Sequence, residues 1–133
     1  MSSATPKVVQ DFVDATNQGH RDAFKAIFAD DALVNDVERD FWGIDAIMSW
    51  ADREVLAPAD NVTLEIIDIK NHYGDYIVKL KVDGNFDKTN LPDPLYITQH
   101  ITIRENKIVK FISIQVKNST TSLKDALASN AGE

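Results

Sequence analysis

Gln99 is the first residue whose place in the sequence points to chemistry. It lies in the segment LYITQHITIRE, where nearly every second residue is apolar, as in a strand with one buried face. Gln99 falls on the face of Ile97 and Ile101, and a buried amide without hydrogen-bond partners costs about 1–3 kcal/mol. The position therefore predicts either a structural partner in a neighbouring strand or helix, or a ligand that meets the amide.

Asp36 is the second candidate, at the end of the short extended run DDALVND. A carboxylate at a strand end beside an apolar opening loses water, which raises its pKa towards that of a general base. The alternative is an ordinary turn aspartate that pairs with Arg39, because strand ends often supply turn residues. We take Asp36 and Gln99 as the candidate catalytic pair, and the two hypotheses depend on each other.

An apolar binding site is indicated by five aromatic residues and one arginine. The arginine could hold a carboxylate or an enolate at the opening, or it could pair with the acidic residues around it in DVERD. The aromatic residues could equally be ordinary core residues. The candidate ligand-binding residues are Phe12, Phe28, Arg39, Trp42, Trp50 and Tyr76.

Length and composition suit one domain. The chain has 133 residues, of which 44% are hydrophobic, and no cysteine, so its core needs no disulfide. We predict a single domain over residues 1–117 and a loosely ordered polar tail over residues 118–133.

The charge and the motifs exclude several classes of partner. A net charge of -7 opposes binding to nucleic acid and to anionic membranes. Because the sequence has no N-terminal apolar segment and no run of about 20 apolar residues, a cytoplasmic location is expected. The three histidines have no metal-binding spacing, and there is no glycine-rich phosphate loop. We expect no metal and no cofactor, so any chemistry would be cofactor-independent.

Hydrophobic periodicity predicts three helices followed by strands. Apolar residues recur at helical spacing over residues 6–18, over residues 20–29 and in a third segment that begins at Gly43. A short strand separates the second of these helices from the third. Alternating apolar residues then predict four long strands, near residues 62–66, 76–86, 95–105 and 108–116. This order indicates an α+β fold, a cone-shaped, curved antiparallel sheet with three N-terminal helices enclosing a pocket.

The faces of the sheet carry two further predictions. On the last strand, Ile108, Ile112 and Ile114 share the predicted inner face. The outer face mixes threonine, His100 and basic residues with Ile67, Ile77 and Phe111. Such a half-apolar face is wider than a monomer usually exposes, so we expect a homodimer through the outer face of the sheet.

Two segments of the chain carry a family resemblance. VVQDFVDATNQGHRDAFKAIFADDALVND and FWGIDAIMSW resemble the nuclear transport factor 2-like superfamily, and the SnoaL-like group in particular, over about residues 8–116. The resemblance implies the cone fold and a homodimer. It leaves the activity open, since the superfamily includes isomerases, polyketide cyclases, dehydratases, epoxide hydrolases and non-catalytic binders.

Within the superfamily, the positions are most similar to those of ketosteroid isomerase. That enzyme moves a proton with a carboxylate and holds the enolate oxygen with a tyrosine and a protonated aspartic acid. By resemblance, the base falls on Asp36, the tyrosine on Phe12 and the aspartic acid on Gln99. Phe12 can donate nothing, whereas the Gln99 amide could give an N–H to a ligand oxygen or meet Asp36 itself.

Other mechanisms of the superfamily fit less well. An Asp-Arg-Asp relay like that of epoxide hydrolases needs a second aspartate, which the sequence does not place. Cyclases of the SnoaL type use an acidic residue on a late strand, where this chain has Ser113 and Gln115. The paired histidines of dehydratases do not fit His20 and His100.

The sequence thus indicates a small-molecule pocket protein with two open alternatives. The first is a proton-transfer isomerase or cyclase that acts on an apolar carbonyl compound and lacks part of the usual oxyanion hole. The second is a non-catalytic module of the same fold that binds a ligand or a protein. A scaffold whose tryptophans, Trp42 and Trp50, fill the pocket is a third possibility.

Overall fold

A computed structural model describes residues 5–89 and 91–115, apart from the side chain of Gln115. The tail predicted over residues 118–133 lies outside this range. The elements, in chain order, are α1 (Lys7–Gln18), α2 (Arg21–Ala26), β1 (Phe28–Asp36), β2 (Arg39–Trp42), α3 (Ile44–Glu54), β3 (Thr63–His72), β4 (Asp75–Asp83), β5 (Leu95–Arg104) and β6 (Lys107–Gln115).

The helices form where the apolar spacing predicts them. One face of α1 is buried, including Phe12, and the helix ends at Gly19, whose φ of 64° is a left-handed conformation that glycine adopts without strain. The second helix ends at Ala26 and not at residue 29, because Phe28 already pairs with Ile108 in the sheet. In the described part of the chain, no helix is long and apolar enough to cross a membrane.

The strands form one open, curved sheet in the order β2-β1-β6-β5-β4-β3. Strands β3 to β6 are an antiparallel meander, as predicted. Two features were not predicted: β1 pairs with β6 in parallel, and β2 forms an edge hairpin with β1. The helices cover one face of the sheet, so the α+β cone is confirmed.

A β-bulge in β6 corrects the predicted faces of that strand. Thr102 pairs with Lys110 and Ile103 pairs with Ile108, so Val109 is an extra residue on β6. Strict alternation counted through Val109 would therefore place every following side chain on the opposite face from the one that it occupies.

The bulge places Phe111 and Ser113 on the inner face, where both are buried. Ile112 and Ile114, which were predicted to face inwards, are on the outer face, and Ile114 is 50% exposed. The prediction that Phe111 lies on the outer face was wrong because alternation within β6 breaks at the extra residue.

Aromatic rings fill one part of the space between the helices and the sheet. Phe12 lies 5.6 Å from Phe24 and 5.1 Å from Phe111 between ring centroids, and Phe28 and Trp50 complete the cluster. These tilted contacts are favoured by aromatic rings. The cluster fixes α1 and α3 over the sheet and becomes one wall of the site.

Candidate functional site

Three polar residues form a row across neighbouring strands of the inner face. Asp36 of β1 pairs with Ser113 of β6, and Ser113 pairs with Gln99 of β5. Residues directly opposite each other point to the same face, and neighbouring strands lie about 4.8 Å apart, so the backbones of Asp36 and Gln99 are roughly 10 Å apart. Most of the remaining inner face is apolar.

A cavity of about 400 Å³ lies against this row. Its volume falls in the range of about 300–1,000 Å³ that is usual for small-molecule sites. Asp36, Ser113, Gln99 and Thr16 contribute polar groups to its lining. The apolar part of the wall includes Phe12, Trp50, Leu64, Val82, Leu95 and Ile97.

The carboxylate of Asp36 is held by one oxygen. Its Oδ2 accepts a hydrogen bond from Arg39 Nη2 at 2.7 Å and another from Trp50 Nε1 at 3.2 Å. Among the residues that the structure describes, no donor contacts Oδ1. The side chain is only 19% exposed. This loss of water is the largest single influence on the pKa of Asp36, which is raised although the Trp50 hydrogen bond and the Arg39 charge act to lower it. One oxygen is therefore fixed and the other can accept a proton.

Glu54 holds Arg39 from the other side. Arg39 Nη1 donates to Glu54 Oε2 at 3.0 Å, and Nη2 donates to Oε1 at 2.7 Å. This pairing raises the pKa of Arg39, which stays charged, while the negative charge of Glu54 raises the pKa of Asp36. Glu54 thus offsets part of the charge that Arg39 presents to the carboxylate.

The sequence analysis did not identify Glu54. The available signal was its spacing from Trp50, since residues four apart on a helix lie on the same face. Both side chains point from α3 to the end of β1, where Trp50 contacts Asp36 directly and Glu54 contacts it through Arg39.

Gln99 has an unpaired oxygen. The residue is 4% exposed, and its Oε1 is buried without a hydrogen-bond partner among the described residues. Asn17 shows how the same fold satisfies an amide for structural purposes: its Nδ2 donates to Leu64 O at 3.0 Å and its Oδ1 accepts from Leu64 N at 2.7 Å. The Oε1 of Gln99 has no such backbone partner, and it does not meet Asp36.

Five of the eight predicted site residues line the cavity together, namely Asp36, Gln99, Phe12, Arg39 and Trp50. Arg39 also forms the pairing with Asp36 that was the structural alternative for both residues. Ser113, Thr16 and Glu54 join them. Ser113 reaches the inner face only because of the extra residue in β6, which the sequence pattern did not reveal.

Phe28, Trp42 and Tyr76 do not line this cavity. Phe28 is buried in the aromatic cluster at the beginning of β1, and Tyr76 is half-buried against the core. Trp42 is 66% exposed, because it pairs with Leu33 and shares the outward face of that residue. The neighbouring Phe41 takes the inner position and stacks on Trp50 at 5.9 Å.

Metal ligands do not gather in the part of the chain that the structure describes. Within that part, no group of three or more histidine, cysteine, aspartate or glutamate side chains is close enough to hold an ion. The polar row is instead a set of proton donors and acceptors beside an apolar volume.

No model of a known protein family matches the sequence, and no curated protein matches it. Solved structures do match. A candidate polyketide cyclase of Sinorhizobium meliloti is 26% identical, with a TM-score of 0.69 over 82% of this chain and 94% of that one. A protein of Catenulispora acidiphila with a ketosteroid isomerase-like fold, in complex with trimethylamine, is 16% identical, with a TM-score of 0.69 over 92% and 94% of the two chains.

A Mycobacterium tuberculosis protein in complex with estradiol-17β-hemisuccinate is 12% identical, with a TM-score of 0.65 over 80% of this chain and 88% of that one. The last two identities are low, so these two structures are similar to this chain in fold alone.

Proposed function

The chain has the nuclear transport factor 2-like fold shared by SnoaL-like and ketosteroid isomerase-like proteins, and we propose that its cavity binds a small apolar carbonyl compound and that Asp36 removes a proton from it. One observation carries this proposal: the Asp36 carboxylate lines an apolar cavity with Oδ2 anchored and Oδ1 free to accept a proton.

The proton comes from the carbon next to the carbonyl. Asp36 Oδ1 takes it, and the electron pair of the C–H bond moves to the carbonyl oxygen, which becomes an enolate. In a ligand with a neighbouring C=C bond, the neutral Asp36 then returns the proton at the far carbon of that bond, which completes an isomerisation. In a ligand with a second carbonyl, the enolate carbon attacks that carbonyl, whose oxygen takes the proton back from Asp36 as the ring closes. General bases of this kind contribute about 10²–10⁴ in rate.

Two features of the site support this role. The raised pKa of Asp36 makes the carboxylate a stronger base than it would be in water. The hydrogen bonds from Trp50 and Arg39 fix its orientation, so that little freedom is lost when the substrate binds.

The enolate oxygen needs a donor. Phe12 occupies the position of the tyrosine in the resemblance and has none, and the Oε1 of Gln99 is an acceptor. The hydroxyl of Ser113 lies between Asp36 and Gln99 in the row, and we assign it to the carbonyl oxygen. Because loss of one oxyanion donor typically costs about 10²–10³ in rate, turnover is expected to be slow.

A binding module without catalysis would show the opposite properties at Asp36 and Gln99. It is favoured by an Asp36 with an ordinary pKa and by a Gln99 that the backbone satisfies. Here the pKa of Asp36 is raised and Gln99 Oε1 is unpaired, so the catalytic alternative is the better supported. The steroid ester held by the mycobacterial protein is consistent with a fold that can enclose a rigid apolar ligand.

A carboxylate-arginine-carboxylate relay for epoxide opening is less well supported. Asp36, Arg39 and Glu54 do form such a chain. However, Arg39 and Glu54 are 47% and 35% exposed, so solvent screens their charges. These two residues position Asp36 at the edge of the cavity.

The test is proton exchange at the carbon next to the carbonyl, followed by NMR in D₂O with a panel of cyclic ketones. Wild-type protein should exchange these protons, Asp36→Asn should not, and Asp31→Asn, an exposed change on the same strand, should behave as wild type. Equal exchange by wild type and Asp36→Asn would refute the role of Asp36.

A further inference from the structure

We propose that the natural ligand carries a hydroxyl group that donates a hydrogen bond to Gln99 Oε1. This inference rests on the proposed function for the orientation of the ligand, and it names the substrate class as hydroxylated carbonyl compounds. An apolar ligand alone does not satisfy this cavity, because Gln99, a residue of its wall, holds one buried acceptor without a partner among the described residues.

None of the residues that the structure describes donates a hydrogen bond to this oxygen. On the neighbouring strand β4, Gln99 pairs with Val78, which is buried and has an apolar side chain. On β5, the neighbours on the same face are Ile97 and Ile101. On β6, the facing residue is Ser113, which makes no hydrogen bond to Oε1. Since none of the described neighbours supplies the partner, we assign it to a ligand in the cavity, which Gln99 lines.

The order of the row orients the ligand. Asp36 takes the acidic C–H, Ser113 meets the carbonyl oxygen, and Gln99 lies one strand further on. The strand spacing puts the hydroxyl of the ligand roughly 5 Å from its carbonyl oxygen, along one edge of the molecule. The acidic C–H lies on the other side of the carbonyl.

The hydroxyl also provides specificity. A ligand that carries it satisfies Oε1, which is buried without a partner in the free protein, and should therefore bind about tenfold to a hundredfold more tightly than a ligand without it. A neutral donor suffices, because Oε1 is an uncharged amide oxygen and the residues that pair with Gln99 on the neighbouring strands, Val78 and Ser113, carry no charge.

The experiment compares three probes by calorimetry: 7-hydroxy-1-tetralone, 7-methoxy-1-tetralone and 1-tetralone. Wild type should bind the hydroxy compound about tenfold to a hundredfold more tightly than the other two. Gln99→Met, which has no amide and retains a long side chain, should bind all three alike. Thr98→Val, on the opposite face of β5, is the matched control and should keep the preference.

Each other outcome contradicts the inference. It is overturned if wild type binds 1-tetralone as tightly as the hydroxy compound, if it prefers the methoxy compound, if the preference survives in Gln99→Met, or if the hydroxy compound shows no saturable binding. A preference for the methoxy compound would mean that the amide presents its N–H group.

The same probes separate this inference from the proposed function. In Asp36→Asn the preference for the hydroxy compound should remain although proton exchange is lost. A hydroxyl preference without exchange in wild type would refute the role of Asp36 alone. Exchange without the preference would refute the role of Gln99 alone.

Discussion

Replacing Gln99 by leucine should stabilise the protein, although the position lies in the buried inner face. The wild-type residue keeps Oε1 away from water, and no described residue pairs with it; such a group costs about 1–3 kcal/mol. Leucine removes this cost, and the neighbouring Val78 and Ile101 are fully buried and apolar. Because residue 99 borders an open cavity of about 400 Å³, the branched end of the leucine side chain should fit without overpacking.

We therefore expect the free energy of unfolding to rise by about 1–3 kcal/mol in Gln99→Leu. One kcal/mol shifts Tm by about 2–8 °C for domains that bracket this size, so a rise of several degrees should be measurable. Urea titration and calorimetry in the absence of ligand would measure both quantities. The stabilised variant should also lose its preference for hydroxylated ligands, which would link the stability cost to recognition.

Two controls make the result specific. Gln99→Ala removes the same oxygen but enlarges the cavity, so it should gain less than the leucine variant. Thr98→Val, on the outer face of β5, should change stability little. A fall in stability for Gln99→Leu would refute the reasoning, because it would mean that Oε1 is satisfied in the folded protein, for example by buried water.

Three further predictions concern the carboxylate and the outer face. Trp50→Phe removes the hydrogen bond that lowers the pKa of Asp36, so the acid limb of the plot of proton-exchange rate against pH should move to higher pH. Glu54→Gln removes a charge that raises this pKa, so the acid limb should move to lower pH. The pKa of Asp36 in the folded protein lies above its ordinary value of 3.8, so ionisation of this carboxyl group lowers the stability of the protein above the folded-state pKa and has no effect below pH 3.8. Urea titrations should therefore find Asp36→Asn more stable than wild type at neutral pH and equal to it in acid. In sedimentation experiments wild type should be a dimer and Ile114→Asp a monomer, since Ile114 is a large exposed apolar residue of the outer face.

Each of these has an outcome that contradicts it. Shifts of the acid limb in the same direction for Trp50→Phe and Glu54→Gln would mean that Asp36 does not set the limb. A stability difference between wild type and Asp36→Asn that does not vary with pH would mean that packing, and not ionisation, causes it. A monomeric wild type would refute the dimer.

The sequence predicted the parts of the fold that depend on local spacing. The apolar stripe of α1 and the stop at Gly19 follow from residues within one or two turns of each other. The alternation in β5 located Gln99 on the inner face without any knowledge of its neighbours. Asp36 was found because it ends a short strand.

The missed features depend on residues that are distant in the sequence. The parallel pairing of β1 with β6 joins two ends of the fold. Trp42 faces outwards because of β2, an edge strand of four residues that has little pattern of its own. Ser113 and Glu54 enter the site through a bulge and a bridging arginine, and both arrangements depend on partner residues elsewhere in the chain.

The extra residue in β6 has a consequence for how a site of this type can arise. A substitution changes one side chain and leaves its neighbours in place. An extra residue at position 109 that is held as a bulge also leaves its neighbours in place: Ile108, Phe111 and Ser113 keep the inner face, and Ile112 and Ile114 keep the outer one. The same residue in regular alternation would turn Ser113 outwards and bring Ile112 and Ile114 towards the cavity. One genetic event of three nucleotides can thus lengthen the strand without loss of its polar row, because the bulge absorbs the extra residue.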